Sequence, residues 1–189
     1  MADTMVKNKT RQSASLKIQI LAALCAVIGA VALPQIVHVI GAVSGLGTAL
    51  GEVILPMHLP IILVGLLAGS FAGAVSGFLA PVISFALTGM PGIGLLPFMM
   101  VELCAYGFLA GLLRKASIPT FFKVLLTQVG GRLIRAAAIL IAFYAFGYSK
   151  IPVSIIWTSI TAGLFGIILQ WTLIPLAVFR IENAKSKEP

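Results

Sequence analysis

Apolar residues fill long stretches of this chain, and charged residues are confined to short segments between them. The longest stretch lies between Glu52 and Glu102 and contains no Asp, Glu, Lys or Arg. A membrane-spanning helix needs about 20 apolar residues, and the apolar segments together predict six such helices. The first four are predicted at 18–37, 53–69, 71–88 and 96–113, and two more follow residue 123.

Glycine, proline and polar residues mark the predicted turns. A single helix over 53–88 would extend about 54 Å at about 1.5 Å per residue, well beyond the roughly 30 Å of bilayer hydrocarbon. Gly69 and Ser70 therefore predict an inner turn, whereas 88–94 and 147–152 predict turns at the outer face. The Gly-rich segment 41–51 predicts a mobile outer loop, because it is weakly apolar and too long for a tight turn.

Composition and charge agree with an all-α integral membrane protein. Of the 189 residues, 60% are hydrophobic and 10% are charged, with a formal net charge of +8. Ten of the thirteen basic residues form three clusters, namely Lys7, Lys9, Arg11 and Lys17, then Arg114, Lys115 and Lys123, then Arg180, Lys185 and Lys187. Cytoplasmic loops carry such an excess. The clusters therefore predict cytoplasmic N- and C-termini rather than nucleic-acid binding, with tails at 1–17 and 180–189 around a six-helix membrane domain at 18–179.

A polar face is predicted on the fifth span. Gln128, Arg132 and Arg135 are spaced i, i+4 and i+7 and therefore share one helical face. Glu102, on the fourth span, is the expected counter-ion for one arginine. Ionisable residues inside a membrane indicate function by default, although a purely structural ion pair is the alternative. Two arginines against one glutamate leave a positive charge that suits a carboxylate-bearing or phosphate-bearing ligand, or a second carboxylate from Glu52 if the outer loop folds in.

Two other side chains are candidates for ligand contact. His58 lies at the outer mouth of the second span, where a hydrogen-bonding wall residue is expected rather than a metal ligand, because closely spaced partner ligands are missing. Trp157 is expected near the outer start of the sixth span, either stacking on an aromatic ligand or anchoring the helix at the interface. Trp171 is expected to be the matching inner anchor. No metal site is predicted.

Missing motifs exclude several enzyme classes. The sequence has no G-x-x-x-x-G-K-[ST] phosphate loop for ATP hydrolysis and no H-E-x-x-H zinc motif. It has no aspartate after Asp3, which excludes an intramembrane aspartyl protease. The sequence therefore predicts no catalytic residue and no cofactor of its own.

Two segments carry a recognisable pattern, namely 57–69, continuing through Gly73 and Gly77 to 87–91, and 101–113. Both resemble the substrate-binding S-components of energy-coupling factor (ECF) vitamin transporters. The resemblance implies a six-helix protein of the bacterial cell membrane that captures a vitamin or vitamin precursor in a pocket opening to the outside. At Ser70 the chain departs from many relatives, which carry proline after the glycine.

The same resemblance implies partners. The S-component would release its ligand inward by toppling on a transmembrane scaffold subunit, driven by two separate ATPase subunits that use ATP. The family docks on the scaffold through an A-x-x-x-A motif in its first helix, and Ala22, Ala26 and Ala30 have this spacing here.

Residue chemistry ranks the possible substrates. Gln128, Arg132 and Arg135 facing Glu102 favour pantothenate, which combines a carboxylate with hydroxyl and amide groups. A pyridoxine-like or pyrimidine precursor is the close rival, with Glu102 and His58 as hydrogen-bond partners, and a corrinoid comes third. The alternative to an S-component is a free-standing secondary transporter or channel for a small polar solute, in which Glu102 relays protons.

Overall fold

The computed structural model describes residues 15–185, and this part of the chain is all-helical. The helices are α1 (Leu16–Val43), α2 (Ala49–Ile54), α3 (His58–Ala68), α4 (Ser70–Thr88), α5 (Leu96–Leu113), α6 (Thr120–Phe146), α7 (Ile155–Ala162) and α8 (Leu164–Lys185). Helices satisfy their backbone hydrogen bonds internally, which lipid requires of any lipid-exposed spanning segment.

Within residues 15–185, six segments are long and apolar enough to cross a membrane, which confirms the predicted number of spans. They are α1, α2 with α3, α4, α5, α6 and α8. Successive spans alternate in direction, so the start of α1 and the end of α8 lie at the same end of the bundle. We call this the terminal end, and we call the opposite end the cavity end.

Most of the described basic residues near the ends of the spans lie at the terminal end, and Lys150, in the turn after α6, is the exception. Lys17 lies in the first turn of α1, Arg114 follows α5, Lys123 lies in the first turn of α6 and Arg180 lies near the end of α8. The Nζ of Lys123 donates a hydrogen bond to the Arg114 carbonyl at 3.1 Å. The remaining basic residues of the predicted tails at 7, 9, 11 and 187 lie outside the described residues. The cytoplasmic orientation of this end stays a prediction.

The region between the first two spans corrects the predicted limits. The first helix continues to Val43 and α2 begins at Ala49, so the expected loop at 41–51 is reduced to residues 44–48. The expected single helix at 53–69 is interrupted at residues 55–57. The weakly apolar segment is helical because it packs on α1, α7 and α8 instead of standing free in solvent.

The sixth span is also divided differently from the prediction. Trp157 lies on the short helix α7, and Gly163 separates this helix from α8, which forms the span. Helix α8 continues beyond the predicted limit at residue 179 to Lys185. The outer turn predicted at 147–152 is present, and Gly147 ends α6 in the left-handed conformation that glycine adopts readily.

Close contact between α4 and α5 forms the centre of the bundle. A Cβ atom at Gly73 or Gly107 would overlap the backbone of the other residue, and one at Gly77 would overlap the backbone of Leu103. Small residues let membrane helices approach in this way without a hydrophobic driving force. In the sequence, Gly65, Gly69, Gly73 and Gly77 recur every fourth residue, a spacing that predicts such close packing. The contacts of Gly65, Gly73 and Gly77 confirm it. The largest buried side chains beside this contact include Ile61, Ile62, Leu103, Tyr106 and Ile174.

Candidate functional site

A cavity of about 410 Å³ lies at the cavity end of the bundle. Its walls come from all seven helices α1 to α7, together with the segment between α4 and α5. Its size falls in the usual range for small-molecule sites. Most of its surface is apolar, and four of the predicted residues line it, namely His58, Glu102, Arg132 and Arg135.

Glu102 is held by neighbours on both carboxylate oxygens. Arg135 donates from Nη1 to Oε2 at 2.9 Å, and the Tyr106 hydroxyl donates to Oε1 at 2.9 Å. The Nε2 of His58 lies 4.0 Å from the same Oε1. Glu102 is 1% exposed, and its predicted ion pair with one arginine is therefore present and buried. Each carboxylate oxygen therefore accepts one hydrogen bond from within the protein.

Arg132 has no such counter-ion. It lies one turn before Arg135 on α6, and its Nη1 makes a long contact of 3.5 Å with the Ser159 carbonyl on α7. Its Nε is buried without a hydrogen-bond partner. Among the described residues, no carboxylate lies within ion-pair distance of Arg132. Among the described residues that line the cavity, Arg132 is therefore a cation without a direct counter-ion, and Glu52 lines the same wall beyond ion-pair distance.

Both histidines of the chain border the cavity with an unused nitrogen. His58 is buried beside the Tyr106 ring, with centroids 5.3 Å apart, and His38 lies on α1. The Nδ1 atom of each is buried without a hydrogen-bond partner. Neutral imidazole offers a donor or an acceptor according to its tautomer. These two nitrogens add uncommitted polar groups to the wall that carries Arg132.

Gln128 and Trp157 lie outside the cavity lining. They border a second space of about 690 Å³ between α6 and the pair α7 and α8, which we call the α6–α8 groove. Trp157 is 72% exposed there, and Gln128 is hydrogen-bonded to Gln170 and Trp171. The groove is almost wholly apolar and shares Arg132, Arg135 and Ser159 with the cavity.

Comparison with known families identifies the kind of protein. A family described as "ECF transporter, substrate-specific component" matches residues 13–178. The chain belongs to this family. It is therefore a substrate-specific subunit of an ECF transporter, a multi-pass membrane protein that works with the ECF module and a small-molecule substrate. Curated proteins and solved structures give no match.

The alanines expected to dock this S-component on its scaffold lie largely inside the chain's own bundle. Ala30 is 0% exposed and Ala26 is also buried, while Ala22 is partly exposed. Ala26 packs in a cluster with residues of α3 and α4. Small side chains at this spacing let α1 approach these helices closely. In this arrangement, Ala22 is the member of the motif that a scaffold can most readily reach.

One residue of the S-component that sequence reasoning missed is Gln170. It is buried in α8 and bonded to Gln128 and to the Leu55 carbonyl. The available signal was a lone amide in an otherwise apolar span, next to Trp171. Trp171 itself, expected only as an interfacial anchor, donates from Nε1 to the Gln128 Oε1 at 2.6 Å.

Proposed function

We propose that this S-component captures a small solute carrying a carboxylate together with hydroxyl or amide groups, and that pantothenate is the leading candidate. The observation that carries the proposal is that the guanidinium of Arg132 lines the cavity without a direct counter-ion among the described residues. A cation inside a membrane protein is costly unless an anion accompanies it. A bound carboxylate would supply that anion and accept two parallel hydrogen bonds from the guanidinium.

Glu102 has a supporting role in this proposal. Its oxygens are bonded to Arg135 and Tyr106, so it orients these groups instead of meeting the solute's charge. Arg135 is in turn neutralised, which leaves Arg132 as the anion-binding group. Hydroxyl and amide groups of the solute would then pair with the imidazole rings of His38 and His58, which line the cavity.

The rival substrates receive less support. Stacking of a pyridoxine-like or pyrimidine ring on Trp157 has no support from its position, because that side chain borders the α6–α8 groove and not the cavity. A corrinoid is several times larger than pantothenate, and the cavity of about 410 Å³ favours the smaller solute. A free-standing proton-coupled carrier is disfavoured because Glu102 is committed to Arg135.

Transport in this proposal follows the family mechanism. The cavity end faces the outside and the basic terminal end faces the cytoplasm, as the positive-inside rule expects. The loaded S-component topples on a scaffold subunit, and two partner ATPases supply the energy. The clustering of Lys17, Arg114, Lys123 and Arg180 at the terminal end supports this orientation.

Binding of pantothenate to the purified protein tests the proposal. Calorimetry in detergent should give saturable binding to the parent protein, and Arg132→Gln should weaken it about 10- to 100-fold, as expected for loss of hydrogen bonds to a charged group. Arg180→Gln is the matched control, because Arg180 is exposed near the opposite end of the bundle and should leave the affinity unchanged.

Two results would contradict the proposal. If Arg132→Gln bound as tightly as the parent, Arg132 would not be the anion-binding group. If the parent did not bind pantothenate, the substrate would be wrong. Mass spectrometry of the small molecule that survives purification would then distinguish another carboxylate from a heteroaromatic or corrinoid ligand.

A further inference from the structure

A chain of three hydrogen bonds crosses the bundle below the cavity. The indole Nε1 of Trp171 donates to Gln128 Oε1 at 2.6 Å, and Gln128 Nε2 donates to Gln170 Oε1 at 2.9 Å. Gln170 Nε2 then donates to the backbone carbonyl of Leu55 at 3.1 Å. These three hydrogen bonds therefore join α6 and α8 to the interruption between α2 and α3.

The two ends of this chain fix its direction. An indole N–H only donates, and a backbone carbonyl only accepts, so each amide between them has a single orientation that completes all three bonds. Both glutamines are buried. A side chain at position 170 must therefore accept from Gln128 and donate to Leu55 at once.

Leu55 has an unusual backbone conformation. Its φ of 52° and ψ of 50° place it in the left-handed region, which is uncommon for residues other than glycine. Such conformations persist where the surrounding structure holds them. The Leu55 carbonyl accepts two hydrogen bonds, from Gln170 and from the His58 backbone N–H at 3.2 Å. Gln170 thus bonds to the same atom as the first residue of α3.

Two glycines on the Gln170 face of the last span also contact the segment around Leu55. Gly163, Gly166 and Gln170 are spaced i, i+3 and i+7, which places them on one face. A Cβ atom at Gly166 would overlap the Ile54 backbone, and one at Gly163 would lie 2.7 Å from the Leu55 Cδ1. The start of α8 is therefore fitted to the segment that it supports.

We infer that Gln170 is a positioning residue for the solute cavity. By holding Leu55, it fixes the end of α2, which carries Glu52 at the cavity wall, and the start of α3, which places His58. Gln128, expected from the sequence to bind substrate, belongs to this support instead. The support that Gln170 gives to Leu55 does not depend on a ligand, whereas its effect on solute capture rests on the proposed function.

Hydrogen exchange measured by mass spectrometry tests the inference on the full chain in lipid nanodiscs without added solute. Gln170→Met keeps the length of the side chain and removes both hydrogen bonds. Exchange in segment 49–58 should become about tenfold faster, as expected when a local opening loses a supporting hydrogen bond. Exchange in α5 should stay unchanged.

Two further variants sharpen this experiment. Trp171→Phe removes only the indole donor that begins this series of hydrogen bonds. It should also accelerate exchange in 49–58, but by a smaller factor. Thr172→Val is the matched control, because Thr172 is exposed and its hydroxyl bonds only within α8. It should leave exchange in 49–58 unchanged.

The outcomes separate this inference from the proposed function. Acceleration confined to 49–58 in Gln170→Met supports it. Unchanged exchange there, or equal acceleration throughout the helices, overturns it. If Gln170→Met does not yield folded protein, Trp171→Phe decides by the same criterion. A failure of pantothenate to bind would leave the exchange result unaffected, since no solute is present.

Discussion

At the scale of single residues, the site is defined by how two arginines on one helix differ. Arg135 is paired with Glu102 at 2.9 Å, whereas Arg132 has only a long contact with the Ser159 carbonyl. Glu102 is bonded a second time by Tyr106. Arg135 and Glu102 therefore neutralise each other, while Arg132 lines the cavity without a direct counter-ion among the described residues.

The Glu102 pair leads to a prediction about stability. Glu102→Gln leaves Arg135 as an uncompensated buried charge, and breaking a buried pair in this way costs about 3 to 5 kcal/mol. The melting temperature in detergent should fall markedly. Glu52→Gln, which changes the other acidic residue of the cavity wall, is the matched control and should melt close to the parent.

A double variant checks that the loss of stability arises from breaking the Glu102–Arg135 pair. Glu102→Gln combined with Arg135→Met removes both charges, and it should melt at a higher temperature than Glu102→Gln alone. A double variant that is less stable than Glu102→Gln would show that the two side chains do not act as a compensating pair.

The sequence made part of this residue-scale arrangement predictable. Helical spacing put the arginines on one face, and the high cost of intramembrane charge indicated a pair with Glu102. The hydrogen-bonding partners of Gln170 were not predictable, because a lone amide in an apolar helix does not reveal which of its neighbours it meets. Its contact with Leu55 joins residues 115 positions apart.

At the scale of helices, the bundle depends on how closely α4 approaches α5. Gly73 and Gly107 face each other without room for a side chain, and Gly111 lies against Gly69 and Ser70 at the turn between α3 and α4. The periodic glycines of 65–77 correctly predicted close packing. Glu102 and Tyr106 lie on α5, so this contact also places the cavity floor.

The glycine contact predicts a local sensitivity to added volume. Gly107→Ala places a Cβ atom on the Gly73 backbone, and overpacking of this kind costs about 1 to 3 kcal/mol. The melting temperature should fall. Gly92→Ala is the matched control, because a Cβ atom there meets nothing within 4 Å. Equal melting of the two variants would contradict tight packing at Gly107.

The helix interruptions were harder to predict than the spans. The long charge-free segments predicted the six spans. Glycine and its polar neighbours predicted the turns at Gly69 and Gly147. The interruption at Leu55 arises because a leucine adopts the left-handed conformation, which tertiary contacts with α8 support. No local sequence rule favours that conformation at leucine.

At the scale of the whole molecule, the chain is one subunit of a larger transporter. Family membership shows that it works with an ECF module. The described part of the chain offers no grouping of three His, Cys, Asp or Glu side chains that could hold a metal ion. Separately, energy for transport is proposed to come from ATPase subunits of that module.

Purification from native membranes tests this assembly. A tagged copy of the chain should co-isolate a transmembrane scaffold and two ATPase subunits, and uptake of pantothenate into vesicles should require ATP. Arg132→Gln should co-isolate the same subunits while losing uptake, since it is placed at the solute site and not at the docking surface. Uptake by the chain alone without ATP would contradict the assembly.

The position of the tryptophans has a practical consequence. The chain contains two tryptophans, and both Trp157 and Trp171 border the α6–α8 groove. Intrinsic fluorescence therefore reports on one side of the molecule without any attached label. Emission wavelength and quenching by brominated lipids would follow the environment of that side during assembly, while the opposite side, formed by α1 and α4, stays optically silent.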